Sequence, residues 1–127
     1  FWAAHTMMGR YLADNGRLDE ALPELLAGVR ASRQMPLALN HLAFVYAGAG
    51  RRDDARRTIA ELERRPYAPS ANLAMLNAAI FEKETAYRWL EKAADEHNGY
   101  LTDSIRTWPM RWRSEPRYQN IRKRMGF

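Results

Sequence analysis

Apolar residues over positions 1–97 recur at three- and four-residue spacing, in short runs broken by glycine or proline. Met8 and Leu12 lead to Gly16, and Ala21, Leu22, Leu25, Leu26 and Val29 resume the pattern. Leu42, Val45 and Tyr46 lead to Gly50, then Ala55, Ile59 and Leu62. Ala74 and Ala78 are followed by Ala86, Trp89, Leu90 and Ala93. This spacing is that of amphipathic helices. It predicts six of them, near 1–14, 18–32, 36–48, 52–65, 70–81 and 83–97.

The runs are copies of one another. MGRYLADNGRLDEA at 8–21 aligns with LAFVYAGAGRRDDA at 42–55, at an offset of 34. Ala13/Ala47, Gly16/Gly50, Arg17/Arg51, Asp19/Asp53 and Ala21/Ala55 are identical pairs. A third copy, AMLNAAIFEKETA at 74–86, aligns with 43–55 at an offset of 31. Each copy reads as helix, tight turn, helix. Gly16 and Gly50 stand where a helix must stop, because glycine takes the left-handed cap at little steric cost. Asp19 and Asp53 fall in the next first turn, where the helix dipole favours negative charge. Gly9, Ala43 and Ala74 share one repeat position, and Ala21, Ala55 and Ala86 another. Small side chains there let paired helices approach, with Leu25, Ile59 and Leu90 packing one turn on.

These residues resemble the tetratricopeptide repeat, which has a small residue and aromatic or leucine anchors at fixed places over about 34 positions. Met8-Gly9-x2-Leu12…Ala21-x3-Leu25 and Leu42-Ala43-x2-Tyr46…Ala55-x3-Ile59 carry the resemblance, and Ala74-x2-Asn77…Ala86-x3-Leu90 carries it more loosely. It implies an all-α fold, an α-solenoid of about three helical hairpins at 1–34, 35–66 and 67–97. The third copy has Phe81 where the others have glycine. A non-glycine residue in the left-handed region costs about 1–2 kcal/mol, so that turn is expected to differ in shape. Pro23 falls inside the second helix and is compatible with a bend.

Residues 98–127 form a closing segment of the same domain. An irregular stretch is expected near 98–107, then a short helix near 109–113 and a last helix near 115–125. Ser114 is the expected N-cap of that helix, with Pro116 in its first turn. Tyr118, Ile121 and Met125 line one face, suited to covering the open end of a stack. The ending is similar to the segment that follows such repeats in bacterial multidomain regulators, where winged-helix, cyclase or kinase domains stand upstream. The chain opens inside a helix without Met, so it is expected to be a fragment, with any catalysis of the parent lying upstream.

The net charge of +5 is confined to that tail. Residues 1–99 balance 13 Lys/Arg against 13 Asp/Glu; the tail sets Arg106, Arg111, Arg113, Arg117, Arg122, Lys123 and Arg124 against Asp103 and Glu115. Trp108, Trp112 and Tyr118 interleave with these cations. Phosphate contacts and stacking on nucleic acid are one reading. A solvated charged face over a cap anchored by two tryptophans is the favoured one. There is no cysteine, which excludes disulfides and thiolate chemistry. No apolar run is long enough for a membrane span. His5, His41 and His97 show no metal-ligand spacing, and Glu82, Glu84, Glu91, Asp95 and Glu96 read as a polar helix face offset by Arg88 and Lys92. No nucleophile elbow, phosphate loop or dinucleotide fingerprint is present.

The chain is therefore expected to be non-catalytic, cofactor-free and cytoplasmic, with a protein or peptide partner. The resemblance implies that Thr6, Arg10, Ala13, Asn40, His41, Phe44, Asn72 and Met75 lie on the concave side, although Phe44 and Met75 fit a core role equally. No Lys or Arg lies between Pro69 and Glu82, which argues against a clamp for an acidic peptide terminus and for an apolar or helical peptide. Homo-oligomerisation through an exposed Trp2 or an uncapped first hairpin is the alternative, and nucleic acid is disfavoured.

Overall fold

A computed structural model describes residues 2–33, 35–66, 68–96 and 101–126. The described residues are helical with no strand. The helices are α1 (Trp2–Asp14), α2 (Leu18–Ala31), α3 (Pro36–Gly48), α4 (Arg52–Glu63), α5 (Ser70–Ala79), α6 (Lys83–Asp95), α7 (Leu101–Arg106) and α8 (Pro116–Arg124). A single 3₁₀ turn, Met110–Trp112, precedes α8. The chain falls into two compact units, Phe1–Ala68 and Pro69–Phe127. The expected architecture of helical hairpins is present: α1 pairs with α2, α3 with α4 and α5 with α6.

The small residues let the helices pair. A Cβ placed on Gly9 would lie 3.2 Å from the Ala21 carbonyl oxygen and 2.5 Å from Leu25 Cγ. The same positions in the other hairpins, Ala43 with Ala55 and Ala74 with Ala86, are fully buried alanines. In the first hairpin, Gly28 is a second close point, where a Cβ would meet Thr6 Oγ1 at 2.6 Å. On α2, Ala21, Leu25 and Val29 are buried as the spacing in the sequence predicts, and Leu22 is half-buried. Leu26, read as part of the same pattern, is exposed, while Gly28 is buried instead. In the first unit, α3 packs on α4 and also touches α1 and α2. It accordingly buries Ala38, Leu39, Leu42, Ala43, Val45 and Tyr46, more than one face.

All three hairpins turn in the same way. Gly16, Gly50 and Phe81 have φ of 76°, 75° and 60°. After each, the next amide bonds back five residues: Arg17 N to Leu12 O (2.8 Å), Arg51 N to Tyr46 O (2.9 Å) and Glu82 N to Asn77 O (2.9 Å). The left-handed residue itself bonds back three, to Ala13, Ala47 and Ala78. This double closure is the Schellman motif. The expectation that Phe81 would reshape its turn is therefore overturned, since Phe81 takes the glycine conformation. Its ring is held edge-on to Trp112 (6.2 Å between centroids) and lies under the Arg111 guanidinium at 4.3 Å. Pro23 does not interrupt α2, which runs through it.

In the second unit the tail is built onto the third hairpin. Trp108 and Trp112 are buried with Tyr87, Leu90, Ile105, Tyr118 and Ile121 in one cluster. Tyr87 and Trp108 meet edge to face at 5.1 Å, a favoured aromatic geometry. Ser104 donates to the Ala71 carbonyl at 2.6 Å, and Tyr118 donates to the Ile105 carbonyl at 3.3 Å. Two expectations for the tail need correction. Residues 101–106 form α7 rather than an irregular stretch, because Ser104 and Ile105 are buried against the hairpin. Glu115, not Ser114, is the N-cap residue of α8, and its side chain makes no cap bond. Its carboxylate is already held elsewhere, by Lys83 and by the Tyr87 hydroxyl at 2.9 Å.

Candidate functional site

In the first unit α1 and α3 lie side by side and present a shared face. Leu37, His41, Phe44 and Gly48 follow one another along α3 at four-, three- and four-residue steps, which is one stripe of a helix. Arg10, Ala13 and Asp14 supply the α1 side. The Arg10 guanidinium joins the helices: Nη1 lies 3.0 Å from His41 Nδ1, and its carbon is 4.3 Å from the Phe44 ring centre. A guanidinium can only donate, so His41 Nδ1 accepts and its proton sits on Nε2. Burial, reinforced by the Arg10 charge, holds the imidazole below its ordinary range. His41 is thus neutral at pH 7 and joins the two repeats.

Beyond Phe44 the face opens into a cavity of about 320 Å³ at the C-terminal ends of both helices. Ala13, Asp14, Gly16 and Leu18 form one wall, and Phe44, Val45, Gly48 and Ala49 form the other. Its lining is largely apolar with one charged residue, the general character of a site that takes an organic side chain. Leu37 is 50% exposed and Phe44 37% exposed, so the stripe leading to the cavity offers apolar surface.

The residues expected from the sequence divide clearly. Arg10, His41 and Phe44 are brought together, Ala13 lines the cavity, and Asn40 is partly buried on α3. Thr6 is not on this face. It is 1% exposed, donates to the Trp2 carbonyl at 2.7 Å, and fills the gap above Gly28. Asn72 and Met75 lie on α5 of the second unit and are partly buried. Leu37, Asp14 and Gly48 were missed. The spacing of Leu37 from His41 could have revealed it, but the cavity beside Gly48 exists only once two hairpins are stacked.

The basic tail is mostly committed to its own unit. Arg117 binds Glu91 (2.6 Å) and Glu84 (3.0 Å) and lies over the Tyr87 ring. Arg113 donates to the carbonyls of Trp108 (3.0 Å) and Arg106 (2.7 Å), and Arg124 pairs with Asp95. Arg111 stacks on Phe81, Arg122 is partly buried, and Lys123 and the Arg106 side chain are exposed. Glu91 and Asp95 are therefore neutralised by α8 rather than by Arg88 and Lys92 of their own helix. His5 bonds Glu24 at 2.7 Å on the surface, and His97 lies outside the described residues. Among the described residues no group of three His, Cys, Asp or Glu could hold a metal ion. No helix among them is long and apolar enough to cross a membrane.

The tetratricopeptide-repeat family model matches residues 2–27 and 36–61. No curated protein and no solved structure matches the chain. The matched stretches begin with α1 and α3 and end within α2 and α4, so the likeness to tetratricopeptide repeats falls on the two hairpins of Phe1–Ala68.

Proposed function

We propose that the chain is a non-catalytic scaffold of a larger bacterial regulatory or signalling protein, and that it holds a protein or peptide partner on the α1–α3 face. Tetratricopeptide repeats are protein-interaction modules, and this face supplies what such a module needs. The observation that carries the reading is the exposed Leu37–His41–Phe44 stripe ending in a cavity, with Arg10 pinning the two repeats that form it. The test is to add peptides selected from a random library to the isotope-labelled chain and follow amide shifts. Shifts clustered at Leu37, His41, Phe44 and Gly48 support the reading. Shifts confined to α8 or to the outer helices α2 and α4 count against it.

Self-association is a second reading, favoured by α1. Met7 and Tyr11, one turn apart, are 66% and 62% exposed, and Met8 beside them is half exposed. Large apolar side chains grouped on one helix mark a contact surface. A sedimentation measurement decides it: a monomer at high concentration ends the idea, and a dimer abolished by Met7→Lys with Tyr11→Lys upholds it. Nucleic acid is not favoured, because Arg113, Arg117 and Arg124 are engaged in ties that hold the cap.

A further inference from the structure

Three glycines lie within helices of the first unit, and they are there for different reasons. Gly9 and Gly28 are demanded by packing, since a Cβ on either would fall 2.5–2.6 Å from a neighbouring side chain. Gly48 is not. It is the last residue of α3, its φ is ordinary, and a Cβ built on it would meet nothing within 4 Å. Alanine is the better helix former, and at Gly48 neither backbone conformation nor crowding accounts for the glycine. Gly48 does line the cavity between the two repeats. Glycine is also the residue that admits close approach of another molecule to the backbone.

The cavity's charge points to what would enter. Asp14 is its one charged lining residue, is exposed, and makes no ion pair among the described residues. The cavity lies where α1 and α3 end, and helix C-termini carry partial negative charge. Phe44, Val45, Leu18 and the alanines supply an apolar interior. Of the neighbouring cations, Arg17 pairs with Glu20 and Arg51 with Asp54, while Arg10 is held away on His41 and Phe44, with no carboxylate partner and its Nε unbonded.

We propose that the cavity beside Gly48 receives one large apolar side chain of a peptide segment whose adjacent residue is Lys or Arg, the cation binding Asp14. This rests on the protein-interaction reading above and specifies its ligand. Gly48 leaves room for the segment's backbone, and the stripe at Phe44 and Leu37 carries the rest of it. The expected ligand is opposite in charge to an acidic peptide terminus.

The test uses the intact chain and a library of random dodecapeptides displayed on phage. Enriched peptides should share a Leu, Met or Phe next to a Lys or Arg. Gly48→Ala should melt no lower than the parent chain yet bind these synthetic peptides about tenfold more weakly. Gly48→Leu, which fills the cavity, should abolish binding, and Asp14→Asn should weaken it up to about fivefold. Exchanging the peptide's cation for Glu should cost at least as much as Asp14→Asn. Enriched peptides that bind Gly48→Leu unchanged, or that are acidic, overturn the proposal while leaving the scaffold reading intact. Failure to enrich any peptide also overturns the proposal, while the scaffold reading would still stand for a folded protein partner. A Gly48→Ala variant that unfolds more easily would show that the glycine serves the fold and also overturns the proposal.

Discussion

Gly9 of α1 faces Leu25 of α2 so closely that a single added methyl would stand 2.5 Å from Leu25 Cγ. Leu25 is almost fully buried and cannot swing away. Gly9→Ala should therefore destabilise the first unit by about 1–3 kcal/mol, the usual range for overpacking. Thermal unfolding followed by circular dichroism measures it. Adding Leu25→Ala to Gly9→Ala should cost less than Leu25→Ala costs the parent, because the second change makes room for the first.

Phe81 offers a ranking test. Its left-handed backbone carries a cost of about 1–2 kcal/mol, offset by the ring's contacts with Trp112 and Arg111. Phe81→Gly removes both the cost and the contacts, so its stability should lie within about 1 kcal/mol of the parent. Phe81→Leu keeps the cost and loses the edge contact. It should be the least stable of the three in denaturant titration; finding it equal to the parent would refute this account of the turn.

His41 links pH to the joint between the repeats. Its folded pKa is held below the ordinary 6.5, first by burial and then by Arg10. The unfolded chain therefore binds the proton more readily than the native one. The joint's stability is complete above about pH 6.5 and is lost as pH falls below it, through the folded pKa. Denaturant midpoints of the first unit should drop between pH 7.5 and pH 5. His41→Gln can still accept from Arg10 and should flatten that slope, and an imidazole titration by NMR should place His41 below 6.5.

Tyr87 acts in the opposite range. Burial, aided by its bond to Glu115, pushes its phenol up to about 12. A raised folded pKa means stability that is present below about pH 10 and is lost as pH rises towards 12. Ultraviolet titration should show one tyrosine ionising near pH 12 in the native chain. Tyr87→Phe should remove that late step and weaken the hold on Glu115.

Much of the fold was legible in the sequence because its determinants are local. Gly16 and Gly50 announce turns, and Gly9, Ala21, Ala43 and Ala55 announce close helix pairs at fixed spacing. Phe81 was misread because its left-handed backbone is supported by Trp112, 31 positions away, which no local rule sees. Ser114 looked like a cap on residue type alone, whereas the chain puts Glu115 there and uses its carboxylate on α6. The candidate site was readable only in part. Arg10, His41 and Phe44 follow from repeat register, but Thr6 shares that register and is drawn inward by the space above Gly28. The cavity arises from the meeting of two hairpins, and no single segment encodes it.

The polar ties between α8 with its cap residue and the helix beneath run one way in chemistry. Arg117, Arg124 and Glu115 each reach a partner of opposite charge on α6. Dissolved ions compete for such exposed partners and weaken the attraction between them. At high salt these exposed pairs therefore add less to the hold on the closing helix. What would then keep it in place is the oil-like seam of Tyr118 and Ile121, which the same brine tightens.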